Sequence, residues 1–165
     1  MYTHHHETVV AIAASPEDVF AFVDDHAKLS AHMNKRSWMM AGGRMCVETD
    51  AQLGKAVGSK IRMSGSMLGV TLSLEEAVTE RSPPWRKVWE TVGAPHLVVI
   101  GAYQMGVQIT PSERGCKLQV FFDYNLPSSG VERWLGKAFG RSYARWCTEK
   151  MANDTRRHFT SEKVA

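Results

Sequence analysis

The most regular hydrophobic pattern lies in the last third of the chain. From Val131 to Phe159, Leu135, Phe139, Tyr143 and Trp146 recur at helical spacing, while Arg133, Lys137, Arg141 and Arg145 form a separate basic row. This predicts one long amphipathic helix, roughly 43 Å from end to end, that buries the side carrying Leu135, Phe139, Tyr143 and Trp146 and turns the basic row to the opposite side. At the other end, Thr8 to Ala14 is short, apolar and β-branched, as a strand would be. Ser15-Pro16-Glu17-Asp18 then reads as a helix start: a capping hydroxyl, proline at the first position and acids near the positive end of the helix dipole. Val19, Phe20, Phe22 and Val23 form its buried side, Asp24-Asp25 interrupts it, and Ala27 to Met33 predicts a second short helix.

Between these helical regions the period drops to two. Six strands are predicted, over Gly43 to Ala51, Ser59 to Ser66, Val70 to Arg81, Trp85 to Val92, Val98 to Thr110 and Cys116 to Leu126. Pro83-Pro84 and the Pro111 to Gly115 stretch suit tight turns, so consecutive strands should pair antiparallel as a meander. Alternation directs one apolar set inward: Met45, Val47, Ile61, Met63, Val70, Leu72, Leu74, Val78, Tyr103, Met105, Val107, Ile109, Leu118, Val120, Phe122 and Tyr124. Only a large curved sheet can cover so long a helix, and the two together can enclose a cavity.

With 165 residues, 44% hydrophobic and 22% charged, one domain over 1–165 is expected. A net charge of +3 with scattered basic residues is too weak to suggest nucleic acid. No basic start followed by an apolar run opens the chain, and no stretch approaches a membrane span, so a cytoplasmic location is expected. Cys46, Cys116 and Cys147 are odd in number and far apart, which suits buried reduced thiols. His4-His5-His6 does not suit a metal site, because neighbours on a strand point to opposite faces; chance or a flexible terminus explains it better. Gly42-Gly43 lacks the strand and helix context of a phosphate loop. No metal and no cofactor is expected.

The order strand, helix pair, six-strand meander and terminal helix resembles the helix-grip fold of the START and birch-pollen-allergen (SRPBCC) superfamily. Ala14-Ser15-Pro16-Glu17-Asp18-Val19-Phe20 looks like its opening, Phe122-Asp123-Tyr124-Asn125-Leu126-Pro127 like the end of its last strand, and Tyr143-Ala144-Arg145-Trp146 like an aromatic pair on its long helix. Within it the chain is most similar to bacterial proteins of the polyketide cyclase/dehydrase and lipid-transport type. The resemblance implies an α+β fold with a seven-stranded curved antiparallel sheet around the C-terminal helix. It also implies a deep apolar cavity for lipids, polyketides, quinones or aromatic molecules. It supplies no catalytic motif to carry across. A cone-shaped fold is the architectural alternative, although it would leave the last helix without a groove.

Within such a cavity Glu76 stands out, because it continues the inward phase of Val70, Leu72 and Leu74. A bulge at Glu75-Glu76 turning both carboxyl groups to solvent is the plainer expectation. Tyr103 and Tyr124 would place phenol groups inside, or else pack with their hydroxyls at the rim. His32 would sit near the mouth as a base or hydrogen-bond partner, with an ordinary surface histidine the simpler account. Met39, Met40, Met45, Met63, Met67 and Met105 suit either core filling or a cavity for variable apolar ligands. Trp38, Trp85 and Trp89 can stack on a flat ligand or seal the core. The expected binding set is therefore Trp38, Met45, Met63, Leu72, Leu74, Glu76, Trp89, Tyr103, Met105, Phe122, Tyr124, Leu135, Phe139 and Tyr143.

Three functions follow. The leading one is binding of a small hydrophobic molecule in a closed cavity of several hundred cubic ångströms, on the usual scale of ligand pockets. The second is a cyclase or dehydratase, which needs at least two of Glu76, Tyr103, Tyr124 and His32 to converge on one point. The third is a protein- or membrane-docking module, which needs an exposed apolar patch beside the basic row. The expected partners are thus a small hydrophobic molecule and, for the third function, a membrane surface, with the chain a monomer or homodimer. Gly106→Trp or Val107→Trp is expected to block the cavity.

Overall fold

The structure is a computed structural model that describes residues 1–34, 44–67, 69–128 and 130–161. Seven strands form one antiparallel sheet: β1 (His4–Ile12), β2 (Arg44–Thr49), β3 (Lys60–Met67), β4 (Val70–Ser82), β5 (Arg86–His96), β6 (Tyr103–Ser112) and β7 (Gly115–Tyr124). Their order is β1-β7-β6-β5-β4-β3-β2, so the first strand closes against the last and the rest is the expected meander. Between β1 and β2 come α1 (Pro16–Asp24), α2 (His26–Leu29) and a 3-10 turn (Ala31–Asn34), and α3 (Gly130–Ser161) ends the described chain. This is the helix-grip architecture.

Local chemistry accounts for the frame. The Ser15 hydroxyl accepts from the Asp18 amide at 3.1 Å, satisfying one free donor at the start of α1, a cap worth about 1 kcal/mol. Val19, Phe20 and Val23 then face the core. The far end of α1 is pinned by charge. Arg81 grips the Asp24 carboxylate with two hydrogen bonds of 3.1 and 2.9 Å. Lys87, fully buried, donates to the Asp24 carbonyl at 2.8 Å and approaches its carboxylate at 3.1 Å. Burial alone would raise the Asp24 pKa, but Arg81 and Lys87 outweigh it and hold the group below its ordinary value. Burial lowers the Lys87 pKa against the pull of the same carboxylate.

Several expectations need correction. β1 begins at His4, so the histidine tract is a strand paired with β7 and not a flexible terminus; His5 bonds Asp123 at 2.6 Å. β6 begins at Tyr103 rather than Val98, because 97–102 forms a connection beside α3. Val70, expected inside, is 51% exposed, since it opens β4 opposite Met67 at the tip of the β3–β4 hairpin, beyond the covered region. Cys46 is exposed, unlike Cys116 and Cys147. Gly106 faces the outer side, where an added side chain would run into the Phe121 ring and the Lys87 carbonyl, so Gly106→Trp would not block the interior.

The largest correction concerns the face of α3. Its buried residues are Gly136, Gly140, Ala144, Cys147, Thr148, Met151, Ala152 and Thr155, a row made largely of small side chains. Phe139 is 52% exposed and Leu135 only half-buried. The reason is close approach: a Cβ on Gly136 would lie 2.9 Å from Pro127 Cδ and 3.0 Å from the Val99 carbonyl oxygen, and one on Gly140 would lie 3.0 Å from Leu126 Cδ2. Any larger side chain there would push the helix off the 97–102 connection. Further along, the Thr148 and Thr8 hydroxyls meet at 2.9 Å and tie the helix to β1.

Candidate functional site

Between α3, the α1–α2 corner and the inner face of the sheet lies an apolar cavity. Sheet side chains Met45, Met63, Leu74, Glu76, Trp89, Tyr103, Met105 and Phe122 line it on one side. His26, Ser30, His32 and Met33 come from the helical corner, Leu97 from the β5–β6 connection, and Tyr143, Cys147 and Met151 from α3. The free space is about 40 Å3, room for roughly three waters, and far below the several hundred cubic ångströms expected. Five methionines, Met33, Met45, Met63, Met105 and Met151, fold their flexible chains into it. A second void of about 20 Å3, lined in part by Leu72, shares Met45, Leu97 and Tyr143 with the first and runs toward 97–100.

One wall is polar. Glu76 is 1% exposed and faces inward, whereas Glu75 turns outward to Lys60 and Arg62 at 2.7 and 2.9 Å. The strand keeps its alternation through this point. The β4 irregularity lies between Val78 and Glu80, and at the other shift, between Ser73 and Glu75, the extra residues belong to β5. The bulge expected at Glu75-Glu76 is therefore displaced, and Glu76 keeps the inward phase of Leu72 and Leu74.

Three buried groups meet here. The Tyr103 hydroxyl donates a short hydrogen bond to Glu76 Oε1. The other carboxyl oxygen lies 3.4 Å from His26 Nε2, not aligned for a hydrogen bond. Trp89 backs the imidazole edge-on with ring centres 5.3 Å apart. Burial first, then the Glu76 charge and hydrogen bond, push the Tyr103 pKa well above its ordinary value, so this phenol stays protonated. Glu76 Oε2 and both His26 ring nitrogens are buried without a hydrogen-bond partner in the protein.

Opposite this wall the groups are weaker donors. The Tyr143 hydroxyl lies 4.0 Å from Met33 Sδ and interacts with Cys147. Burial raises the Tyr143 pKa well above normal and pushes the Cys147 thiol up to about 12, which makes it a poor nucleophile. His32 is buried rather than a surface residue. Its ring meets Trp146 edge-on at 5.2 Å, and burial lowers its pKa to about 4, leaving it neutral at physiological pH.

Of the expected catalytic candidates, Glu76 and Tyr103 converge. His32 lines the cavity but points its ring at Trp146. Tyr124 is buried outside the lining, between Phe122 and the stacked His4 ring. Of the expected binding set, Leu135 and Phe139 line neither void, because the helix presents its glycine row instead. Trp38, Met39 and Met40 lie outside the described residues, as does the side chain of Met67. Trp85 is 44% exposed at a hairpin turn. Sequence reasoning missed His26. Its signal was the Asp24-Asp25 break, which makes Asp25 the cap of a new helix and turns the next residue into the core.

Among the described residues, no group of three or more His, Cys, Asp or Glu side chains is placed to hold a metal ion. Nor is any helix among them long and apolar enough to cross a membrane.

The family profile described as polyketide cyclase / dehydrase and lipid transport matches residues 3–159. No curated protein matches the chain in sequence. Solved structures do match. A protein from Thermus thermophilus aligns with TM-score 0.68 at 13% identity, covering 96% of this chain and 99% of its own. A Rhodobacter sphaeroides protein aligns with TM-score 0.62 at 21% identity, covering 95% and 93%. The protein Ara h 8.0201 aligns with TM-score 0.62 at 10% identity, covering 96% and 98%. At these identities the likeness shows the fold alone.

Proposed function

Because the chain belongs to the polyketide cyclase / dehydrase and lipid transport family, we propose that it holds a small, mainly apolar molecule between α3 and the sheet, with one oxygen function of that molecule set against Glu76, Tyr103 and His26. The observation that carries this is a set of buried atoms without a hydrogen-bond partner in the protein, on residues that line the cavity: Glu76 Oε2 and His26 Nε2, which face each other at 3.4 Å, with His26 Nδ1 and His32 Nδ1. Each such group costs about 1–3 kcal/mol when left unsatisfied. A ligand hydroxyl can donate to Glu76 Oε2 or accept from a His26 N–H, and a carbonyl can accept from His26, so either recovers part of that cost. The rest of the lining is apolar, and methionine is the side chain best suited to moving aside and repacking around a guest. On this reading the 40 Å3 of free space is the closed form of the pocket, and rotation of the lining methionines makes room for the guest.

The convergence of Glu76, Tyr103 and His26 also favours a second reading, a dehydratase or cyclase. Burial keeps the Tyr103 phenol protonated, and its O–H, which donates to Glu76 Oε1 in this structure, would turn to a substrate carbonyl oxygen. A carboxyl and an imidazole beside it can take a proton from the neighbouring carbon and return one to a departing hydroxyl, which leaves as water.

Matched ligands test the binding. Calorimetric titration with a cyclic ketone or alcohol and with its parent hydrocarbon should give the oxygenated ligand about tenfold tighter binding. Tyr103→Phe and Glu76→Leu should both narrow that gap. Equal affinities for the pair in the wild type would remove the polar wall's role, and no binding of either would overturn the proposal. The enzymatic reading further requires a β-hydroxy ketone to lose water with the wild type and not with Glu76→Gln.

A further inference from the structure

The first turns of the helix face expected to be buried are on the surface, although Tyr143 and Trp146 further along pack against the core. Val131 is 70% exposed and Trp134 68%, and Phe139 continues the same row on the outside of α3 with half-buried Leu135 between them. These positions follow i, i+3, i+4 and i+8, so they form one continuous stripe over the first turns. A free Trp or Phe side chain carries on the order of 200 Å2, and more than half of each residue is open to solvent here. Arg133, Lys137 and Arg141, all exposed, run along one flank of that stripe, between it and the buried glycine row. Glu132, in the first turn, is the acidic residue of this segment.

From this arrangement we propose that the N-terminal half of α3 docks on an anionic lipid surface, with Val131, Trp134 and Phe139 inserted among the headgroups and Arg133, Lys137 and Arg141 against lipid phosphates. Charge selects the occupant. Pairing two copies through this stripe would set two basic flanks side by side, with one acid on each helix segment to offset three bases. The stripe is also the convex side of a helix rather than a groove, which suits a planar interface better than a protein ligand. Tryptophan and phenylalanine beside arginine and lysine make up an interfacial helix face. On the buried side of the same helix, the Val99 carbonyl oxygen lies against Gly136 and Gly140, so the stripe is the face of α3 that the protein leaves uncovered. The proposal goes beyond ligand binding and stands whether or not the cavity takes a guest.

Co-sedimentation of the full chain tests it, with vesicles of phosphatidylcholine alone and with roughly one part in three phosphatidylglycerol. The wild type should bind the anionic vesicles and lose binding as salt is raised. The Trp134→Ser/Phe139→Ser double variant should bind at least about tenfold less, and an Arg133→Gln/Lys137→Gln/Arg141→Gln variant should lose the preference for anionic lipid. Both changed aromatics are exposed, and matching melting curves by circular dichroism establish that the fold is kept. Equal binding to both vesicle types, no binding to either, or a double variant that binds like the wild type would each overturn the proposal. A dimer in sedimentation velocity that the double substitution abolishes would overturn it in favour of self-association.

Discussion

His32 should make this protein acid-labile, by an amount the structure sets. Its imidazole is buried against Trp146, and burial, with smaller effects from Lys150 and His26, outweighs the pull of Asp154 and of the Leu29 backbone. Its pKa falls from 6.5 to about 4. A folded value below the unfolded one means that the unfolded chain takes up the proton first, so stability is lost as pH falls from 6.5 toward 4, with nothing further from this group below that. The full loss is about 3 kcal/mol, equivalent to roughly 1–2 M in a urea midpoint. Urea unfolding at a series of pH values should show this for the wild type. His32→Leu, similar in volume and without the titrating ring, should lose about 3 kcal/mol less across the same window. Comparing the two cancels the contributions of Asp24 and the other carboxylates. Parallel pH profiles for wild type and variant would refute the reasoning, because they would mean His32 takes up its proton as easily folded as unfolded.

Two further predictions concern the frame. Asp24→Ala should destabilise the fold by about 3–5 kcal/mol in denaturant unfolding, because it leaves Lys87 charged and buried with only the residue-24 carbonyl and no counter-charge; adding Lys87→Met should recover most of that. Gly136→Val should cost about 1–3 kcal/mol from crowding against Pro127 and Val99, while Phe139→Ser, on the exposed side, should stay within about 0.5 kcal/mol of wild type. A reversed order of those two effects would mean that α3 presents the other face to the core.

The strands were legible because alternation is a direct consequence of pleating, and the inward phase led through Leu72 and Leu74 to Glu76. The start of α1 was legible because Ser15 and Pro16 each have one good place in a helix. The face of α3 was misread for a physical reason. Hydrophobicity marks Leu135 and Phe139 as core, but here the core contact is set by how closely two backbones approach, and Gly136, Gly140 and Ala144 allow it. That row of small residues four apart was visible in the sequence and was the better signal. Cavity size was not legible, because a methionine fills or vacates space by rotation and its residue type does not record which. Nor was the Asp24, Arg81 and Lys87 cluster, since a buried lysine is recognisable only once its partners are in place.

The account rests on a space between α3 and the sheet that opens to admit an apolar guest. Mass spectrometry of organic extracts from natively purified protein tests this directly, against a Leu74→Trp variant whose added ring fills the lining beside Glu76. The prediction is a near-stoichiometric apolar compound carrying oxygen in the wild-type extract and its absence from the folded variant. Indistinguishable extracts from the two folded proteins would contradict it.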